Sequence, residues 1–259
     1  MVSAGSTLVR PRPDAPAVMP LSTQQEVAEA AREMDGAPAT TILRWAWWSI
    51  PRFCVTSSFG ADSATLLSLV AQVDPDIPVL FLDTGFHFEE SLTYRDTLVE
   101  RLGLRRVVHV QPWLSVEDQA SLHGDALHDR DPDACCQIRK VAPLDQALEG
   151  FDGWATGVRR NQASSRQTTP VVQRVVKGGR SLLKVAPLVN WTAADVAGHR
   201  RLHDLPPHPL TLRGFGSIGC QPCTSPVAAG EDPRAGRWAG TTKTECGLHL
   251  GPTRRSEDE

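Results

Sequence analysis

Residues 53–63 read FCVTSSFGADS, and this stretch decides the fold. Its first half is apolar and β-rich, its second half is a Ser-Ser-Phe-Gly turn, and a helical pattern over 64–73 follows, closed by Asp74-Pro75. A short buried strand that passes through a glycine turn into a helix opens a parallel α/β unit. The same alternation continues outward. Residues 79–82 are a continuous apolar run that stops at Asp83-Thr84-Gly85, 89–102 are helical, and 107–110, 154–158 and 182–185 read as three further strands. Buried strands alternating with helices predict an open, mostly parallel, Rossmann-like α/β sheet with helices on both faces. Upstream, 22–35 predict a helix capped by Ser22 and ended at Gly36. Residues 1–21, with four prolines, predict a flexible arm. Beyond 205 the regularity ends in a segment rich in Pro, Gly, Cys and Arg that closes on RRSEDE. The expected organisation is an arm (1–21), an α/β body (22–205) and an irregular C-terminal segment (206–259) that serves the site.

The 57–63 turn carries chemistry as well as topology. A helix N-terminus offers free N–H groups and a positive dipole to an anion. Gly60 lets the backbone approach closely, while Ser58 and Ser63 add hydroxyl donors. The turn lacks Gly-Lys-Ser/Thr and is therefore no Walker loop. A serine-capped helix start would look the same, so the segment alone leaves both readings open. Leu82 and Thr84 lie at the carboxyl end of the second strand, where open α/β sheets form their ligand crevice; Asp83 reads equally as a turn residue.

Composition narrows the class. The chain has 259 residues, 41% hydrophobic and 22% charged, with 27 Lys+Arg against 30 Asp+Glu and a net charge of −3. This is ordinary globular composition. A mild acidic excess argues against general nucleic-acid affinity, which needs a basic surface to displace counterions. No apolar run approaches a bilayer span, and residues 1–20 hold no uninterrupted apolar core of a signal peptide. The expectation is a cytoplasmic protein with reduced thiols.

Six cysteines then become informative. Cys220-Gln-Pro-Cys223 reads as half a zinc site, a redox dithiol, or half a cluster site. Cys135-Cys136 is rarer. Neighbouring side chains diverge, so one small tetrahedral ion is hard to chelate with both, and a larger iron–sulfur body is favoured over zinc without excluding it. Cys246 stands apart in a polar segment, downstream of Arg234 and Arg237, where cations favour a nucleophilic thiolate; the plainer reading is a small buried hydrophobe. Cys54 falls inside a buried strand and reads as core.

Read in order, SSFGADS (57–63), LDTG (82–85), CCQIRKVAPL (135–144), TGVRRNQASSR (156–166), GSIGCQPCTSPV (216–227), GEDPRAGRW (230–238) and ECGLH (245–249) resemble the assimilatory adenylyl-sulfate (APS) reductases, within the wider phosphoadenylyl-sulfate (PAPS) reductase family of the PP-loop superfamily. The similarity spans roughly residues 25–250. It implies a [4Fe–4S] cluster on Cys135, Cys136, Cys220 and Cys223. It implies attack by Cys246 on the sulfate sulfur of adenosine 5′-phosphosulfate, release of AMP, and an S-sulfocysteine that thioredoxin or a similar dithiol protein resolves to sulfite, with no electron-carrying duty for the cluster. It places Lys140, Arg166, Arg234 and Arg237 against the phosphosulfate, with Ser58, Gly60, Ser63, Leu82 and Thr84 on the nucleotide side. Each cation alone reads as solvated surface charge; their placement inside the motifs reverses that.

The departures matter. Many PP-loop pyrophosphatases carry Lys after the glycine; here Ala61 stands there, which weakens the case for splitting ATP. Ala163 replaces the usual serine. The short Arg237-Trp238-Ala239-Gly240 run implies a shorter or looser linker to Cys246. Arg159, Arg160 and His249 receive no role. The competing readings are a PAPS reductase, a cluster-containing PP-loop RNA sulfur transferase, and a zinc-binding module. A homo-oligomer is compatible with the chain, whose sequence does not fix a subunit number.

Overall fold

The computed structural model describes residues 21–248. The arm expected at 1–21, apart from Leu21, and the tail with His249 lie outside these residues. The strands are β1 (Phe53–Ser57), β2 (Val79–Leu82), β3 (Val107–Val110), β4 (Gly153–Ala155), β5 (Val172–Lys177) and β6 (Arg180–Val185). They form a single sheet in the order β3-β2-β1-β4-β6-β5, parallel throughout except for the antiparallel β5–β6 pair at one edge. The helices are α1 (Gln24–Met34), α2 (Ala39–Ser49), α3 (Ser63–Val73), α4 (Glu89–Leu102), α5 (Val116–His123), α6 (Leu127–Arg130), α7 (Pro132–Cys136), α8 (Ala142–Ala147) and α9 (Ala193–Leu202).

Side chains alternate across each strand, and the central strands β1, β2 and β4 are buried on both faces, whereas the edge strands β3 and β5 are partly exposed. Phe53, Val55, Val79, Phe81, Leu183 and Val185 pack with α2, α3 and α4 in one core. Cys54, Leu80, Leu82, Trp154 and Leu182 pack on the opposite face with Leu144 and Leu148 in a second. Burial on both sides is why the strands read as unbroken apolar runs.

Three local expectations are corrected. The first helix is capped by Thr23, not Ser22: Thr23 and Glu26 form a reciprocal capping box. The fourth strand ends at Ala155 rather than at 158, because Thr156–Arg159 turn away to line the site. A sixth strand, β5, and helix α2 were absent from the sequence reading. The order reverses between β1 and β4, whose neighbours wind outward in opposite directions. That switch point opens a crevice beyond the carboxyl ends of the strands. After α9 the described chain to 248 holds only two 3-10 turns (Pro209–Arg213 and Gln221–Cys223) and folds back over this crevice.

Candidate active site

A cavity of about 340 Å³ lies at the switch point, within the range of small-molecule sites. Ser58, Gly60, Ser63, Leu82, Thr84, Lys140, Arg166, Arg234, Arg237, Cys220 and Cys246 all line it. The chain brings these residues together from the ends of β1, β2 and β4, from the turn after α7, and from the C-terminal segment.

The loop after β1 is tightly set. Phe59 adopts a left-handed conformation (φ 51°) and its N–H donates to Ser57 Oγ at 3.1 Å. A Cβ on Gly60 would stand 3.0 Å from the Ile218 carbonyl oxygen, so glycine is what lets the C-terminal segment close on the loop. Asp62, at the start of α3, pairs with buried Arg159 at 2.9 Å. Arg159 therefore ties the β1 loop to the β4 loop and keeps two unpartnered nitrogens, Nε and Nη1. Arg160 points elsewhere: it donates to the Thr169 carbonyl at 2.9 Å and to Asn190, a structural role.

The cysteine pairs come from distant elements. Asp131 caps α7 by accepting from Ala134 N at 2.9 Å, which sets Cys135 and Cys136 at the helix end. The chain then widens into a π-turn, Gln137–Val141, the kind of irregularity that collects at functional sites. This turn carries Lys140 into the cavity, 8% exposed. Cys220 opens the Gln221–Cys223 turn, which is anchored to the loop after β2 by Gln221 N–H to the Phe86 carbonyl (2.7 Å) and by a 3.3 Å contact of Thr84 Oγ1 with Cys220 Sγ. All six cysteines are free thiols.

The thiols share one electrostatic environment. Burial pushes Cys136 up to about 12 and Cys223 up to about 11, so neither is a thiolate unaided at neutral pH. Burial also raises Cys135, and the charge of Cys220 adds to the shift. Burial pushes Lys140 down, whereas the ionised forms of Cys220, Cys246 and Cys136 would raise it by more than burial lowers it. Arg139 is buried beside Cys135 and Cys220, with Nε and Nη2 unpartnered. Gln119 Nε2 donates to Cys135 Sγ at 3.9 Å. Among the described residues no three His, Cys, Asp or Glu are grouped to hold a metal ion. Two soft-thiolate pairs ringed by orphaned donors and a lysine fit a larger anionic sulfur-bridged body.

The cations fall into two groups. Arg166 is fully engaged: Nε and Nη2 donate to the two oxygens of Glu245 at 2.7 and 2.8 Å, and Nη1 donates to Gln162 Oε1 at 2.6 Å. Arg234 lies 3.4 Å from the same carboxylate and donates to the Thr244 carbonyl at 2.8 Å. Arg237 instead stacks on Trp238, 4.6 Å from the ring centroid, and its Nε is unpartnered. Gly219 makes room for it, since a Cβ there would stand 2.2 Å from Arg237 Nη2. Cys246 lies between Glu245 and Leu248, which packs on the second core. The short linker after Arg237 is long enough to bring Cys246 into the cavity.

The sequence reading gave no role to Glu245, Arg159 or Gln162, all of which line the cavity. Glu245 is a lone acid in a cation-rich segment beside a cysteine, a signal that was available. Arg159 and Gln162 had none beyond membership in the 156–166 motif.

Fold and site define a PP-loop-type α/β protein whose cavity joins a strand–helix anion loop to a cluster of cations and thiols. Residues 52–226 match the model of the phosphoadenosine phosphosulfate reductase domain, and the chain belongs to that family. It is 52% identical over 197 residues to an adenosine 5′-phosphosulfate reductase of Chelativorans sp. (strain BNC1), covering 75% of this chain and 77% of the relative. It is 45% identical over 221 residues to one of Streptomyces coelicolor (85% and 92%), and 41% identical over 240 residues to one of Mycobacterium tuberculosis (86% and 92%). Among solved structures, phosphoadenylyl-sulfate reductase from Candida auris, a phosphate complex, superposes with TM-score 0.67 at 24% identity (81% of this chain, 100% of that one). The FMN adenylyltransferase of Candida glabrata with FMN and AMPCPP gives 0.54 at 16% (81% and 70%). These two likenesses establish the fold.

Proposed function

We propose that this chain reduces adenosine 5′-phosphosulfate to sulfite and AMP, with electrons from thioredoxin or a similar dithiol protein, in assimilatory sulfate reduction. The observation that carries the reading is that Cys246 lines the same cavity as the Ser58–Gly60–Ser63 loop and the cations. The adenylate end takes the loop and the α3 N-terminus, and the sulfuryl end faces Lys140, Arg166, Arg234 and Arg237. A thiolate approaching a sulfuryl group meets a shell of negative oxygens, and preorganised cations offset that repulsion in the transition state. The Cys246 thiolate attacks the sulfur, the bond from sulfur to the bridging phosphate oxygen breaks, and AMP departs with that oxygen. The Cys246 S-sulfonate then meets a dithiol. One thiolate attacks Cys246 Sγ and expels sulfite, and the second resolves the mixed disulfide, so two electrons pass from the dithiol to sulfur.

Cys135, Cys136, Cys220 and Cys223 would hold a [4Fe–4S] cluster, which when bound supplies a structural cross-link and a fixed field beside Lys140. This chemistry needs reduced thiols and a dithiol partner, conditions that a reducing compartment such as the cytoplasm supplies. No described helix is long and apolar enough to cross a membrane.

The test uses anaerobic protein and APS alone. Wild type releases AMP and gains one SO₃ on the Cys246 peptide, and sulfite appears only on adding thioredoxin. Cys246→Ser keeps its iron and forms no adduct. An adduct on Cys220 or Cys223, or sulfite from Cys246→Ser at the wild-type rate, overturns the mechanism. Faster turnover of the 3′-phosphorylated nucleotide would make the chain a PAPS reductase. ATP–pyrophosphate exchange would point to an adenylating sulfur transferase.

A further inference from the structure

We propose that Glu245 is a positioning residue that occupies the anion seat of the empty cavity: its carboxylate stands on Arg166 and Arg234 as a stand-in for the sulfuryl group, and the incoming anion exchanges with it. In naming the sulfuryl group as the displacing anion, the proposal rests on the function proposed above.

Three observations carry it. First, the seat is full. The fork of Arg166 closes on both Glu245 oxygens, Ser165 Oγ adds a 3.3 Å hydrogen bond, and the Glu245 side chain is 4% exposed. Every nitrogen of Arg166 is engaged within the protein, so Arg166 can present its fork to a substrate only when Glu245 leaves. Second, the seat is built for an anion of this shape. An arginine fork takes carboxylate and other oxyanions in the same bidentate way. Exchanging one for the other leaves the arginines' burial unchanged, so Arg166 and Arg234 keep an anionic partner throughout. That compensation is needed: burial pushes Arg234 down, Arg166 and Arg237 push it further, and Glu245 opposes them. Third, Glu245 directly precedes the nucleophile. Cys246 hangs between an ionic anchor, Glu245, and an apolar one, Leu248 on the second core. Gly247 between them is left-handed (φ 82°). Releasing Glu245 while Leu248 stays docked frees Cys246 to turn at the moment the sulfur target arrives.

A buried ion pair is a weak source of net stability, since desolvation cancels most of the attraction. A latch that exchanges readily needs that balance.

The experiment reads Cys246 alkylation by iodoacetamide in anaerobic holoprotein without nucleotide, from the mass of the Cys246 peptide. Rates are compared at the alkaline plateau, where thiol ionisation no longer varies, in sodium sulfate and in sodium chloride of equal ionic strength. Sulfate should accelerate wild type about fivefold or more, the low end of coupling between two ligands. Glu245→Gln should be fast in both salts and indifferent to sulfate. Glu245→Asp, which keeps the carboxylate, should restore the sulfate response, so the proposal stays testable if the glutamine variant folds poorly. A wild-type rate that ignores sulfate, or a Glu245→Gln protein that behaves as wild type, overturns the exchange. The readout is independent of turnover. An absent sulfate response with APS reduction intact fails the latch alone, and a sulfate response without APS reduction fails the function alone.

Discussion

Lys184 pays for its place on β6. It sits opposite Trp154 and Gln173, 5% exposed, on the sheet face that carries the Cys246 segment. Burial, followed by Lys177 and Arg166, depresses its pKa to about 8 from 10.5, against the pull of Glu245 and Cys246. The unfolded chain therefore binds more protons than the folded one between pH 8 and 10.5, and stability rises through that window. Below pH 8 the penalty is complete, about 3 kcal/mol. Lys184→Met should raise Tm at pH 7, with the gain shrinking from pH 8 towards 10.5; a constant gain, or a loss, contradicts this. Arg237 and Gly219 form the second residue-scale case. Arg237→Ala should cost about 2–4 kcal/mol in kcat/KM for APS, the loss of one preorganised donor. Gly219→Ala drives a methyl into the guanidinium, so it should displace Arg237 and lower kcat/KM in the same way. Because both act through one group, the double variant should be no worse than Arg237→Ala alone. Additive losses would separate Gly219 from Arg237.

At the scale of elements, His208 shows how a loop is fixed to a helix. Its Nδ1 accepts from Leu210 N–H at 3.2 Å, and Nε2 lies 3.0 Å from Ser91 Oγ on α4. Burial holds its pKa at about 4, well below 6.5. The folded state then binds fewer protons between pH 4 and 6.5, and stability falls as pH drops through that window, by about 3 kcal/mol in full. His208→Asn should flatten this part of the Tm–pH curve; an unchanged slope would assign the acid sensitivity elsewhere. The elements that sequence reveals best are those whose cause is local. The runs at 79–82, 89–102 and 107–110 match β2, α4 and β3 at both ends: β2 is buried on both faces and wholly apolar, β3 is a short β-branched run, and α4 is closed by the left-handed Gly103. The missed elements have non-local causes. β5 is an antiparallel edge strand, half exposed along its length, with Val176 at 59%. It forms because Gly178 and Gly179 turn it back onto β6. Helix α2 is rich in Thr, Ile and Trp, weak helix formers, and has no side-chain cap; packing against α3 overrides propensity. The cysteines, the anion loop and the cations were legible as motifs. The Arg166–Glu245 pair was not, because a contact between residues 79 apart leaves no periodic trace.

Across the whole molecule, the two cysteine pairs belong to different parts. Cys135 and Cys136 end α7, between β3 and β4 in the sheet body, whereas Cys220 and Cys223 lie in the segment that folds back after α9. The segment is also tied to the body by Gln221 N–H to Phe86, Thr84 to Cys220, Lys243 to Asp133, Arg166 to Glu245, His208 to Ser91 and Arg213 to Glu90, by a small apolar cluster of Leu210, Phe215 and Ile218 with Ala61 and Phe88, and by Leu248 on the second core. The sheet, by contrast, is held by two continuous cores that need no cysteine pair. A cluster on all four thiols would therefore act as a staple between the two parts. A group that binds only the assembled set stabilises that assembly and leaves the sheet's own stability untouched. Removing iron anaerobically with a chelator should raise amide exchange across 216–248 while β1, β2 and β4 keep their protection. Cys136→Ser should give the same map, with lost iron and sulfide and the loss of visible absorption. Equal loss of protection in the sheet would make the cluster part of the core rather than a staple. Unchanged exchange in 216–248 after complete iron loss would show that the segment docks without the cluster, on its polar and apolar contacts. A Cys136→Ser protein with full iron and sulfide would remove Cys136 from the ligand set. The geometry favours the staple, because Cys135 and Cys136 end α7 in the body while Cys220 and Cys223 lie at the turn of the returning segment, so a group bound to all four joins the two parts directly.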